Sequence, residues 1–581
     1  MWKSEVRDGM RIDWDVEIPM DDGIAMRADV FRPDDARRYP VILSYGPYAK
    51  GLAFQEIYAD QWNRMIEDQP DVAAGSTNKY QNWEVVDPEK WVPEGYVCVR
   101  VDSRGTGMSP GYIDHFSPRE TQDFYDCIEW AAVQPWSSGK VGLNGISYLA
   151  INQWHVASLR PPSLAAMCVW EGAAEWYRDM TYHGGILSTF WDNWYPIQVT
   201  AVQYGLGDKG YKSRVTGRNI SGEETLSAEE LEANRCAFGD EIAVHQLNDQ
   251  YHRDRSPVFE NITTPLLSAG NWGGQGLHLR GNVEGYYQSS STQKWLELHG
   301  KEHWTHFYTD YGREIQLAFF DHFLKGEDNG WADRKPVQLQ VRRTDRFEER
   351  FEEAWPIPRT RWTEYHVHAD GSFDQEAPTE TTALEFSANG AGLTFRSAPL
   401  HRETEFTGPL SARLWVSSTT DDADIFVVFR VFDPQGDEVV FQGAVEPNTP
   451  IAQGWLRASH RALDERLTES WRPVHTHTSR QRLIPGEMYE LHLELWPTSI
   501  VVPAGYTLGF SIRGNDYVYE GDFDESVMEI GSFANRFSGC GPFVHVDERN
   551  RPPDVFGGTT TLHLGPETPA HVLTPLIPGE A

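Results

Sequence analysis

The sequence is short of cysteine, of positive charge and of long apolar runs, and each shortage closes off a class of function. Its five cysteines, Cys98, Cys127, Cys168, Cys236 and Cys540, show neither CxxC spacing nor an even disulfide framework. A disulfide-stapled secreted scaffold is thereby excluded, and a reducing compartment fits best. Basic residues are outnumbered 51 to 86, a formal net charge of −35. Such a surface repels nucleic acid and anionic membrane alike, so neither is an expected partner. No uninterrupted apolar stretch is long enough to span a bilayer, and the opening MWKSEVRDGMRIDWDVEIPM lacks the basic start and apolar core of a signal peptide. The expectation is a cytoplasmic protein. Internal repeats and low-complexity tracts are also missing, which argues for order nearly throughout.

What is there divides into textures. At 581 residues the chain exceeds one ordinary hydrophobic core, so two or three domains are expected. From Asp15 to Ser109 the short β-rich runs DVEIPM, AMRADVFRP, PVILSYGPY and YVCVRVDSRG are punctuated by glycine and proline. The helical run SPRETQDFYDCIEWAAVQ, the strand KVGLNG and the helical run LAINQWHVASL follow, the strand, turn and helix order of an α/β sheet. After the strand SLAAMCVW, residues 171–256 read as an aromatic-rich helical cap. The core resumes through ITTPLLSAGNW and KWLELHGKEH and closes with the helix EIQLAFFDHFLKG. Beyond Pro336, alternating strands such as VQLQVRR, ARLWVSS and TLGFSIRG predict an all-β sandwich. The predicted organisation is an α/β-hydrolase core over 1–170 and 257–335, a cap over 171–256 and a β-sandwich over 336–581.

The segment Gly142-Leu143-Asn144-Gly145-Ile146-Ser147-Tyr148-Leu149-Ala150 places a serine between strand and helix, with small residues two before and three after. A nucleophile elbow needs them, because the turn is so sharp that bulky neighbours would collide. G-x-S alone also describes a turn serine or a helix N-cap. Here the strand before and the helix after add function, since the helix N-terminus aims N–H groups at a developing oxyanion.

The chain carries, in order, RADVFRP, SYGPY, GYVCVRVDSRGTGMSPG, EWAAVQPWSSGKVGLNGISYLA, FFDHFLKGEDNG and AWPIP. On these segments it resembles the cocaine-esterase-like and Xaa-Pro dipeptidyl-peptidase-like (CocE/NonD) family of serine hydrolases. In the C-terminal part TGPLSARLWVSS, GWLRASHR and PGEMYELHLELWPTSIVVPAGYTLGFSI are similar to the family's jelly roll. The resemblance implies an α/β-hydrolase core with a C-terminal jelly-roll domain. It also implies that the Tyr48 hydroxyl shares an oxyanion hole with the backbone N–H of Tyr148. The spacing from Leu298 to His303 is similar to an L-H-x-x-x-H turn whose second histidine is catalytic, which selects His303 ahead of His306 and His299.

The acid departs from the family pattern. Where members carry an aspartate, three residues beyond the glycine ending the preceding strand, this chain has Gly273. A triad still needs a partner to hold the imidazole tautomer. The neighbouring core strand LAAMCVW ends at the same sheet edge and is followed by Glu171, the expected relocated acid. Asn271 is the alternative orienter and Glu175 the next candidate acid. The segment lacks HExxH order, and no metal or other cofactor is implied.

The expected function is hydrolysis of ester or amide bonds of small acyl substrates through an acyl-enzyme on Ser147. An Xaa-Pro dipeptidyl peptidase is the rival, needing a site for a free peptide amine that Glu171, Glu175 or Asp179 could supply. A degenerate, non-catalytic hydrolase acting as a binding protein is the reading from another class. Partners are a small ester, amide or short peptide, with a homo-oligomer left open. The cap aromatics Trp176, Tyr177, Tyr182, Phe190, Trp191, Trp194 and Tyr195 suit an apolar substrate group but compete with packing of the cap itself.

Overall fold

A computed structural model describes residues 3–521 and 539–579; the rest of the predicted sandwich, 522–538 and 580–581, lies outside the described residues. Strands β1 (Lys3–Arg7), β2 (Met10–Pro19), β3 (Ala25–Arg32), β4 (Tyr39–Gly46), β5 (Val97–Asp102), β6 (Ser137–Ile146) and β7 (Leu164–Trp170) begin the core. A small hairpin, β8 (Tyr182–His183) and β9 (Ile186–Leu187), belongs to the cap. Then β10 (Leu266–Asn271), β11 (Lys294–His299), β12 (Val337–Arg342) and β13 (Phe347–Glu352) complete the core sheet. Its order is β1-β2-β3-β5-β4-β6-β7-β10-β11-β12-β13. The stretch from β5 to β12 is parallel, and antiparallel strands flank it on both sides.

The parallel centre explains the near-continuous apolar runs, because both faces are covered. Cys168 and Trp170 face one layer with Phe319 and Phe320, whereas Met167 and Val169 face the other with Ile128 and Trp154. Register then brings strand ends together. Ile146 pairs with Trp170, Trp170 with Ala269, and Asn271 with His299. Whatever follows β6, β7, β10 and β11 therefore emerges at one sheet edge, where open α/β sheets carry their sites.

One expectation needs correction. The strand VQLQVRR, assigned to the sandwich by the boundary at 336, instead forms β12 and pairs parallel to β11, with β13 antiparallel beyond it. Strand texture alone does not say which sheet a strand joins. The cap is built of short helices: Trp176–Thr181, then Phe190–Trp194 running on through Tyr195–Val199 and Thr200–Val202, then Ala228–Ala233, Phe238–Val244 and Gln250–Asp254. Gly205 and Gly207, at φ 94° and 49°, interrupt it.

The sandwich proper begins at Arg361–Val367, and the long strands Thr404–Ser418 and Tyr489–Val502 run antiparallel through its centre. It packs directly on core and cap: Arg457 N–H donates to Gly184 O at 2.9 Å, and Ala444 N–H to Gly273 O at 3.2 Å. Among the described residues, no helix is long and apolar enough to cross a membrane.

Candidate active site

Ser147 follows β6 at φ 55° and ψ −120°, and the helix Tyr148–Ser158 starts immediately after it. That backbone is strained for any residue but glycine, and the surroundings hold it in place. The Ser147 N–H donates to Trp170 O at 3.2 Å and to Glu171 O at 3.1 Å. A Cβ at Gly145 would sit 2.6 Å from Leu149 Cβ, so glycine there lets strand and helix close. Tyr148, as first helical residue, has an N–H with no intrahelical acceptor. Its ring is fixed elsewhere: the hydroxyl donates to Glu120 at 2.7 Å and lies 2.9 Å from His115 Nδ1.

Tyr48 follows β4, and its ring meets that of Tyr148 edge-on at 6.1 Å. Its hydroxyl accepts from Trp194 Nε1 at 3.2 Å and lies beside the Ser147 hydroxyl. Burial, and then the negative charge of Glu84, push the phenol well above its ordinary range. It stays a neutral donor at working pH.

His303 lies on the turn after β11, fully within the interior. Its Nδ1 is 2.6 Å from Glu171 Oε2. Glu171, at φ 47° with 0% exposure, follows β7. Its other oxygen meets His299 Nε2 and accepts from Asn271 Nδ2, both at 3.2 Å. Burial raises the Glu171 pKa, but His303 and His299 outweigh it and bring it to about 2. Burial lowers the His303 pKa, yet Glu171 and then Glu84 raise it to about 10. An acceptor at Nδ1 fixes the tautomer, with a proton on that nitrogen.

The sequence reading had missed the group at the other nitrogen. His303 Nε2 lies 3.0 Å from Glu84 Oε1. Glu84 sits in the segment QNWEVV between two core strands, where spacing carries no signal; an acid flanked by tryptophan and valine was the only hint. Burial pushes its pKa up, and the hydrogen bond to His303 only partly offsets this, leaving it at about 7.

The remaining candidates fall elsewhere. Asn271 Nδ2 bonds Glu171 and the Lys301 carbonyl, supporting the carboxylate rather than touching His303. Glu175 is taken by Arg178 at 2.5 Å and Arg280 at 2.9 Å, and Asp179 by Arg280 at 2.7 Å, so neither approaches the histidine. His299 bridges Glu171 and Glu297, and buried His306 bonds through neither ring nitrogen. At Gly273, an added Cβ would lie 2.2 Å from Gly443 Cα of the sandwich. That neighbour leaves no room for an aspartate.

Ser147, Tyr48, Glu84 and His303 line one cavity. Phe190, Trp191 and Trp194 of the cap and Val445 and Phe543 of the sandwich complete the wall. Trp176, Tyr177, Tyr182 and Tyr195 pack the cap instead. Among the described lining residues, Glu84 is the one carboxylate.

Comparison with known proteins agrees with this architecture. Residues 22–308 match the family model of X-Pro dipeptidyl-peptidase (S15 family), and residues 329–573 that of the X-Pro dipeptidyl-peptidase C-terminal non-catalytic domain. The cocaine esterase of Rhodococcus sp. (strain MB1 Bresler) is 24% identical over 633 residues, covering 97% of this chain and 98% of that protein. The crystal structure of a CocE/NonD family hydrolase from Staphylococcus aureus superposes with a TM-score of 0.82 at 29% identity, over 98% of this chain and 94% of that one. An α-amino acid ester hydrolase shares the fold at a TM-score of 0.68 and 15% identity, over 99% and 98% of the two chains.

Proposed function

This chain belongs to the cocaine-esterase-like and Xaa-Pro dipeptidyl-peptidase-like family of α/β-hydrolase serine hydrolases, and from that premise we propose that it hydrolyses esters or amides of small acyl substrates through an acyl-enzyme on Ser147. The observation that supports this most is the meeting, in one aromatic cavity, of a strained serine, a neutral tyrosine hydroxyl beside it and a histidine backed by a buried carboxylate. Ser147 Oγ attacks the carbonyl carbon while His303 Nε2 takes its proton. The Tyr48 hydroxyl and the Tyr148 N–H receive the oxyanion, a donor set whose loss costs about 3 kcal/mol per donor. Glu171 stabilises the imidazolium, the leaving group departs with the proton, and water repeats the sequence to free the acid.

A fluorophosphonate probe tests the reading. The intact chain should be labelled, Ser147→Ala should not, and p-nitrophenyl acyl esters should turn over. A folded chain that resists the probe across the pH range would return the protein to the non-catalytic reading.

The dipeptidyl-peptidase alternative draws on one observation. Glu175 and Asp179 are neutralised by Arg280, but Glu84 faces the cavity as a carboxylate that a substrate amine could approach. Turnover of Gly-Pro-p-nitroanilide without turnover of acyl esters would make that reading the better one.

A further inference from the structure

Glu84 is held at the elbow by its own backbone, whose carbonyl accepts from the N–H of Ile146, the residue before the serine, at 3.1 Å. Its side chain is 3% exposed, and Oε1 lies 3.0 Å from His303 Nε2. With one proton fixed on Nδ1 by Glu171, a bare Nε2 lone pair facing a carboxylate oxygen at that distance would be repulsive. A second proton must lie between them, carried on Nε2 as an imidazolium beside the Glu84 carboxylate. In that form Nε2 has no lone pair to offer Ser147.

We propose that Glu84 is a further catalytic residue, a second carboxylate on the general base that retains the Nε2 proton in the free site and must yield that contact before Ser147 can be activated. The step is one proton: the pair releases it to water, Glu84 remains a carboxylate, and His303 is left neutral with its proton on Nδ1. No other bond changes.

The surroundings favour this arrangement. The groups facing the pair are Glu171, the hydroxyls of Tyr48, Tyr58 and Tyr308, and His278, whose ring stacks on His303 at 5.0 Å. Burial holds the tyrosines in their neutral form, and burial together with the His303 charge keeps His278 neutral. The two carboxylates are therefore the negative charges acting on the ring, both favouring its protonated form. Activity of the free site should rise with pH along a limb above the ordinary histidine range.

The proposal rests on Ser147 as nucleophile, and its test separates the two. The pH profiles of fluorophosphonate labelling and of kcat/KM are measured for the intact chain, Glu84→Gln and Glu84→Asp. Glu84→Gln should move the acid limb of kcat/KM down by about one to two pH units, the usual scale of one neighbouring charge. Rates at pH 6 should then rise about ten- to hundredfold, and Glu84→Asp should restore the original limb. In the intact chain the kcat limb, which reports the substrate complex, should lie below that of kcat/KM. ¹⁵N-histidine spectra of the intact chain, with His303 assigned by His303→Asn, should show both ring nitrogens protonated at neutral pH. An unmoved limb in a folded Glu84→Gln, or a bare Nε2 in those spectra, overturns the proposal. Absence of labelling in the intact chain at every pH removes Ser147 instead.

Discussion

Two of the carboxylate clusters in this molecule differ in the cation each surrounds. In one, Arg280 meets Glu175 at 2.9 Å, Asp179 at 2.7 Å and Glu494 at 2.9 Å, tying a core helix to the cap and the sandwich; Arg472 and Glu284 pair beside it. In the other, Glu171 and Glu84 flank His303. A guanidinium is charged at every accessible pH and fits carboxylates in fixed forks, so the first cluster is a strut. An imidazole gains and loses its charge near neutrality, so the second can do work.

Breaking each cluster should therefore cost a different quantity. The largest effect is expected from Glu171→Gln, which keeps the shape but loses the charge behind the imidazolium: kcat of the folded fraction should fall about 10⁴-fold, a loss of rate larger than the accompanying loss of stability. Arg280→Met should do the reverse. It strands three carboxylates and should lower stability by about 3–5 kcal/mol, read from the urea midpoint, while kcat of the folded fraction stays within about tenfold. Tyr48→Phe touches neither cluster's charge, and should cost about 10²–10³ in kcat with little change in KM.

The smallest effect sharpens the contrast through pH. The folded His303 pKa is raised to about 10, so its stabilising contribution is fully present below the ordinary histidine value and is lost as pH rises through 10. Glu171, lowered to about 2, contributes stability that is present above the ordinary carboxylate range and lost as pH falls through 2. The stability difference between the intact chain and His303→Asn should shrink in the alkaline window. The difference for Arg280→Met should not change there.

Much of the candidate site was legible because it lies on regular elements. A strand, a small-residue turn and a helix marked Ser147, and counting strand ends along one sheet edge pointed to Glu171 once Gly273 had displaced the family aspartate. Glu84 was not legible. Its role depends on a non-repetitive segment folding back over β6, and only tertiary register brings it to His303. The reason for Gly273 was hidden for a similar cause, since its neighbour Gly443 is 170 residues further along the chain. The strand β12 was visible as a strand but not as a member of the core sheet, because its pattern is equally suited to either sheet.

The loop at Gly443 and Ala444 also bears on how the chain can be rearranged. Its amide donates to Gly273 O, and its carbonyl accepts the His303 N–H at 2.9 Å, so the sandwich supplies part of the scaffold on which the histidine turn rests. The C-terminal domain is thus not a detachable module. A chimera carrying the sandwich of a relative that keeps the aspartate would set that loop against the wrong neighbour, and core and sandwich would have to be exchanged as a matched pair.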